Sequence, residues 1–168
     1  HLSRCIPNKG IEEFIELAGG NSSRQFTLVL ATVGCHESYV RFITEKCVLP
    51  NLRLILNSTS VKRILDDHEF VVLLSSYDEG TPRSIMEAMA RGCVPVCLKS
   101  NMTIDIVIDE ITGFRMSDYY SADFQSRIAT LSGRDLLARS NAARVYALAN
   151  FNEGTMVAEY TNAVEAGS

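Results

Sequence analysis

Glu79 and Glu87 stand eight positions apart and bracket Gly80-Thr81-Pro82-Arg83-Ser84-Ile85-Met86. An apolar strand pattern, Phe70 to Ser75, precedes them, and a helical pattern begins between them. Where a strand's carboxyl end meets a helix's amino end, unpaired backbone N–H groups and the positive end of the helix dipole favour phosphate. Carboxylates cannot hold phosphates, but they accept hydrogen bonds from hydroxyls. The combination suits a ligand that carries both, such as a sugar nucleotide.

Within this loop Thr81 can cap the helix, and Pro82 fits the first helical position because no N–H donor is needed there. Arg83 and Ser84 then present free amides, and Arg83 adds a planar cationic fork suited to phosphate. Glu87 has two readings. It is a ligand for hydroxyls, or it closes a capping box on Ser84 through Ser84-Ile85-Met86-Glu87. Glu79 is likewise a ligand or an exposed loop acid. Arg4 and Lys9 flank a proline turn ahead of another helix. Facing a helix-terminal anion site, they would clamp a diphosphate; apart from it, they are a solvated surface pair.

The elements that must bring these residues together follow from periodicity. The amino end leaves almost no room for a first strand before the turn Pro7-Asn8-Lys9-Gly10. A helix follows with Ile11, Phe14, Ile15 and Ala18 on one face, stopped by Gly19-Gly20. Phe26 to Ala31, Leu52 to Leu56, Phe70 to Ser75 and Val94 to Leu98 read as strands. Helices lie between them, around Tyr39, Val40, Ile43 and Cys47, then after a Ser60 cap, then through Arg91 with Gly92 as stop. Thr112 to Met116 is a turn into a short strand. From Ser121 onward the pattern is helical, with apolar faces Phe124/Ile128/Leu131, Leu137/Val145/Leu148 and Met156/Tyr160/Val164. This alternation implies an α/β fold, a doubly wound parallel sheet of Rossmann-like type with right-handed crossovers. Ligands of such sheets bind at the carboxyl ends of the strands. Three loops are therefore expected at one crevice: Arg4 to Gly10, Asn57 to Ser60 and Ser76 to Ser84.

With 168 residues, 46% hydrophobic and 21% charged, the chain has the composition of one soluble domain over residues 1–168. A net charge of −4 argues against nucleic-acid binding. No stretch approaches the roughly 20 apolar residues of a membrane span. Cys5, Cys35, Cys47, Cys93 and Cys97 fit neither a disulfide scaffold nor a zinc site. Free thiols favour a cytoplasmic location. Peripheral attachment to the inner membrane face through a longer protein stays open.

These residues carry a resemblance. The chain resembles the carboxyl-terminal, nucleotide-sugar-binding half of a GT-B glycosyltransferase, most nearly of glycosyltransferase family 4. Arg4-Cys5-Ile6-Pro7-Asn8-Lys9-Gly10 is similar to that family's G-R-x-x-x-x-K-G turn, with Ser3 standing in place of the glycine. Glu79 to Glu87, continued by Ala88 to Val96, is similar to its E-x7-E motif and the run beyond it. Thr112-Gly113-Phe114, Asn150-Phe151 and the last helix to Tyr160 resemble its later segments.

The resemblance implies roles. Glu87 would accept from ribose hydroxyls and Glu79 from those of the donor sugar. Arg4 and Lys9 would neutralise the diphosphate, with amides from Thr81 to Ser84 holding it at the helix end and Gly80 binding the nucleotide-sugar beside them. Pro82 itself would contribute position rather than a donor. Asn57, Ser58 and Thr59 would touch the base through backbone atoms. The donor would be a UDP-, GDP- or ADP-linked sugar, transferred with retention, with neither metal nor cofactor. Arg83, in a Gly-Thr-Pro-Arg loop rather than the family's common Gly-Phe-Gly, stands as an added phosphate ligand. The amino-terminal acceptor domain of that architecture is absent from this sequence, so the isolated domain is expected to lack activity. Two alternatives stay open: a sugar-nucleotide epimerase or hydrolase on the same fold, which needs a histidine in the cleft, and a non-catalytic Rossmann-like binding module.

Overall fold

Continuous apolar runs form the strands because both faces of a parallel sheet are covered. In the computed structural model, residues 1–75, 82–99, 103, 105–117, 126, 130–131 and 133–152 are described. They form strands β1 (Leu2–Arg4), β2 (Phe26–Ala31), β3 (Leu52–Leu56), β4 (Phe70–Leu73), β5 (Val94–Leu98) and β6 (Phe114–Met116). Between and after them come helices α1 (Ile11–Gly19), α2 (Glu37–Lys46), α3 (Val61–Asp66), α4 (Arg83–Ala90) and α5 (Gly133–Asn150).

The strands make two parallel three-stranded sheets, β1-β2-β3 and β4-β5-β6. β1 also lies beside β4, where His1 Nδ1 is 2.9 Å from the Val72 carbonyl oxygen. Across both sheets the sequence of strands is therefore β3-β2-β1-β4-β5-β6. This is the doubly wound order, and its direction reverses between β1 and β4. The crevice outside the carboxyl ends of those two strands is where such folds bind ligands.

Two apolar clusters hold the layers. α1 buries Ile11, Phe14, Ile15, Leu17 and Ala18 against Leu28, Leu30, Val94 and Val96. α4 buries Ile85, Ala88 and Met89 with Leu73, Cys97, Ala143 and Ala147. Cys93 and Cys97 sit in this second cluster, and burial pushes their thiols up to about 11 and about 12. They are packing groups rather than nucleophiles.

Four sequence expectations are corrected. A first strand does form, three residues long, pairing Leu2 to Arg4 with Val29 to Ala31. β4 ends at Leu73, two residues early, because Leu74 and Ser75 turn toward the Asn8 loop. Ser60 occupies the cap position of α3 without a side-chain cap bond; its N–H donates to Ser58 Oγ instead, at 3.1 Å. The face of α5 that packs inward carries Leu136, Ala143 and Ala147, while Leu137, Val145 and Leu148 are exposed. The helical faces expected around Phe124/Ile128 and Met156/Tyr160/Val164 lie outside the described residues.

Candidate functional site

The turn after β1 is held against the end of β4 by backbone contact. Gly10 has φ 71°, and a β-carbon there would stand 2.4 Å from the Leu74 carbonyl carbon. Only a residue without a side chain fits this approach. Ser75 Oγ donates to the Asn8 carbonyl at 3.1 Å on the same seam. The consequence is positional. Lys9, seven residues into the chain from Leu2's strand, is carried across to the carboxyl end of β4 and becomes buried.

There it meets the amino end of α4. One cleft of about 390 Å³ is lined by Ser3 and Arg4 of β1, Lys9, Ala31 of β2, Ser75, and Pro82, Arg83 and Ser84. It lies over the β1/β4 reversal. Arg4 is exposed and reaches toward the β2–α2 turn, its Nη2 4.0 Å from where a β-carbon on Gly34 would sit. Burial, and then the charge of Arg4, push the Lys9 ammonium below the ordinary lysine range. Both effects disfavour the charged form, and an anion in the cleft would offset them. Ser3 sits in the wall with its hydroxyl donating to the Arg4 carbonyl at 3.1 Å, so its side chain is turned back onto the backbone.

Pro82 is the cap residue of α4, with φ −74° and ψ 93°, and the helix starts at Arg83. This is one residue later than the sequence expectation, which made Pro82 helical and Thr81 the cap. The cap position makes no side-chain hydrogen bond, so the amides that follow are not closed off by a capping side chain. The shift also removes the capping-box geometry for Glu87. That motif needs Ser84 as cap, whereas Ser84 is already the second helical residue. Glu79, Gly80 and Thr81 lie outside the described residues.

Glu87 is exposed and is not in the wall of the Arg4–Lys9 cleft. It lines a neighbouring cleft of about 560 Å³ with Lys62, Leu65 and Asp66 of α3, Ala90 and Arg91 of α4, and Arg144 of α5. The two clefts share α4, whose first turn faces one and second turn the other.

The Asn57–Ser60 loop is at the same edge of the sheet but in the wall of neither cleft. Asn57 adopts φ 51° and spends its side chain on the neighbouring loop. Its side-chain oxygen accepts from the Thr32 N–H, and its amide nitrogen donates to Thr32 Oγ1, both at 2.8 Å. Ser58 Oγ accepts from Ser60. Backbone atoms of this loop and the exposed side chains of Thr59 and Ser60 remain for a ligand. Sequence reading thus brought Arg4, Lys9, Pro82, Arg83 and Ser84 to one place, and missed Ser75 in that cleft and Lys62 in the Glu87 cleft. The available signals were faint: Ser75 ends an apolar run, and Lys62 follows the Asn57–Ser60 loop directly.

Neither described histidine of the later chain lines the Arg4–Lys9 cleft. His36 is exposed at the cap of α2. His68 lies near the amino ends of β2 and β4, with Nε2 2.9 Å from Thr27 Oγ1. Among the described residues, no group of histidine, cysteine and acidic side chains is arranged to hold a metal ion. No helix among them is long and apolar enough to cross a membrane.

The family model described as glycosyl transferases group 1 matches residues 1–144. No curated protein matches the chain. Solved structures share the fold. Anabaena HepE in complex with UDP-glucose superposes with TM-score 0.84 at 19% identity, over 99% of this chain and 48% of HepE. A variant of S. aureus TarM in complex with Fondaparinux, alpha-GlcNAc-glycerol and UDP gives 0.80 at 22%, over 96% of this chain and 34% of TarM. The C-terminal domain of LpcC, a glycosyl transferase group 1 family protein of Francisella tularensis, gives 0.69 at 16%, over 90% of this chain and 84% of that domain. The chain thus spans a third to a half of the length of TarM and HepE.

Proposed function

This chain belongs to the glycosyl transferases group 1 family, and we propose that it is the donor-binding domain of a retaining, hexosyl-transferring glycosyltransferase of GT-B architecture. The observation that carries this reading is the single cleft shared by Arg4, Lys9, Arg83 and the amino end of α4 at the β1/β4 reversal. Three cationic side chains and a helix amino end there suit a diphosphate. As the bond between sugar and diphosphate breaks, negative charge grows on the leaving oxygen. Fixed positive groups around it lower the barrier by electrostatic stabilisation, in the place a metal ion's Lewis acidity would take.

In this reading Glu87 accepts from the ribose hydroxyls and Glu79 from those of the donor sugar. Backbone atoms of Asn57, Ser58 and Thr59 border the base. The UDP-glucose bound by HepE and the UDP bound by the TarM variant support a nucleotide-linked donor. An acceptor domain in a longer, cytoplasmic protein would supply the second wall and exclude water. Calorimetric titration of the 168-residue chain with UDP and with inorganic pyrophosphate tests the reading. Binding of both, weakened together by Arg4→Ala, is the expected result. Failure of the unaltered chain to bind either would overturn it.

A further inference from the structure

The cleft that holds Glu87 contains a cation the diphosphate does not need. α3 and α4 form its facing walls, with Lys62 and Asp66 on one and Glu87 and Arg91 on the other. Arg91 is committed to Asp66 by an ion pair. Lys62 is exposed and has no ion-pair partner among the described residues. It stands in the first turn of α3, two positions beyond Ser60.

We infer that Lys62 is a base-reading residue, which selects nucleotides whose base presents a carbonyl oxygen at its edge, as in uracil or guanine. The inference rests on the nucleotide-sugar reading above and deepens it. Along α4, Arg83 and Glu87 are four residues apart, about 6 Å of rise. A nucleotide whose diphosphate occupies the Arg4–Lys9 cleft is thereby led over Glu87 with its ribose. The base then continues toward α3 and the Asn57–Ser60 loop, which is the end of the cleft where Lys62 stands.

The ammonium group is a donor with no acceptor capacity. It pairs with the carbonyl edge of uracil or with guanine O6. Adenine places a donor amino group where guanine places O6, and keeps only ring nitrogens such as N7 to accept, so it pairs less well with the ammonium. Backbone atoms around Asn57 offer both donors and acceptors, so they do not settle that choice alone. The Asn57 side chain is already committed to Thr32.

The test is calorimetric titration of the whole chain with UDP, GDP, ADP and inorganic pyrophosphate, repeated on Lys62→Met, which keeps the apolar stem, and on Lys62→Arg, which keeps the charge. Because the side chain is exposed, both variants are expected to keep the melting temperature of the parent. The unaltered chain should bind UDP or GDP about ten-fold or more tighter than ADP. Lys62→Met should collapse that preference to about three-fold or less while leaving ADP and pyrophosphate affinities unchanged. Lys62→Arg should restore part of it. An unchanged preference in Lys62→Met, a preference for ADP in the unaltered chain, or an equal loss for every nucleotide would overturn the inference while nucleotide binding itself stands. Absence of binding by the unaltered chain to all four probes would overturn the donor-binding reading as well.

Discussion

Ser75 donates its hydroxyl to the Asn8 carbonyl at 3.1 Å, joining two loops 67 residues apart in the sequence. That bond lies beside Lys9 and the start of α4, so it fixes a cationic turn against a helix amino end. Ser75→Ala is expected to cost about 1 kcal/mol of stability, the usual net worth of one such bond. It should also weaken pyrophosphate binding by about three-fold, because the cleft is less preorganised before the ligand arrives. Urea unfolding and calorimetry on the same variant measure the two effects. Stability lost with affinity unchanged would show that the seam does not position the cleft.

Gly10 makes the sharper demand on the same seam. A methyl group there would meet the Leu74 carbonyl carbon at 2.4 Å and its oxygen at 2.5 Å, with φ at 71°. Backbone atoms cannot swing aside as a side chain can. Gly10→Ala should therefore destabilise by roughly 3 kcal/mol, the sum of left-handed strain and overpacking. Gly133 is the control. Its φ is 57°, yet nothing lies within 4 Å of a β-carbon built on it. Gly133→Ala should cost only about 1 kcal/mol, the backbone strain alone. Equal costs at the two positions, measured by denaturant unfolding, would contradict the close approach at Leu74.

Much of the fold was legible because its strands are unbroken apolar runs. Phe26 to Ala31, Leu52 to Leu56 and Val94 to Leu98 match β2, β3 and β5 residue for residue. α1 was equally plain, since Ile11, Phe14, Ile15 and Ala18 recur at helical spacing and all four are buried. α5 misled for a physical reason. Apolar residues surround it, and the largest of them suggested the inner face. The packing against α4 is instead close, with Ala143 and Ala147 at the contact and Ser140 donating to the Gly92 carbonyl at 2.7 Å. Small residues win where backbones approach, and a hydrophobicity pattern does not register that. The meeting of Arg4, Lys9, Arg83 and Ser84 at one cleft was legible because a strand–loop–helix join announces itself. The division into two clefts was not, because it depends on which turn of α4 faces α3.

Lys9 should give the cleft a pH signature. Burial and the neighbouring Arg4 charge hold its ammonium below the ordinary value of 10.5. A bound anion needs the protonated form. Affinity for pyrophosphate should therefore fall as pH rises through the lowered pKa, beginning below the range in which an unperturbed lysine titrates. The effect on folding has the opposite sense. The unfolded chain holds this proton more tightly, so the contribution of Lys9 to stability increases with pH between the folded and unfolded pKa values. Lys9→Met should bind more weakly and lose the alkaline fall. A wild-type profile that matches the variant's would show that Lys9 does not meet the anion.

Glu87 separates the two halves of the proposed ligand. It lies in the cleft beside the one that holds Arg4, Lys9 and Arg83, so it should contact a nucleoside and not a bare diphosphate. Glu87→Ala is expected to weaken UDP, GDP or ADP binding by about 1–3 kcal/mol, the cost of losing a charged acceptor for hydroxyls. Pyrophosphate affinity should stay the same. The melting temperature should stay the same too, because α4 begins at Arg83 with Pro82 at its cap and gives Glu87 no capping bond to lose. A deoxyribonucleotide lacking the 2′-hydroxyl should bind the unaltered chain more weakly and the variant without further loss. If Glu87→Ala instead lowers the melting temperature and leaves every affinity intact, the residue supports the helix and the ribose must be held elsewhere.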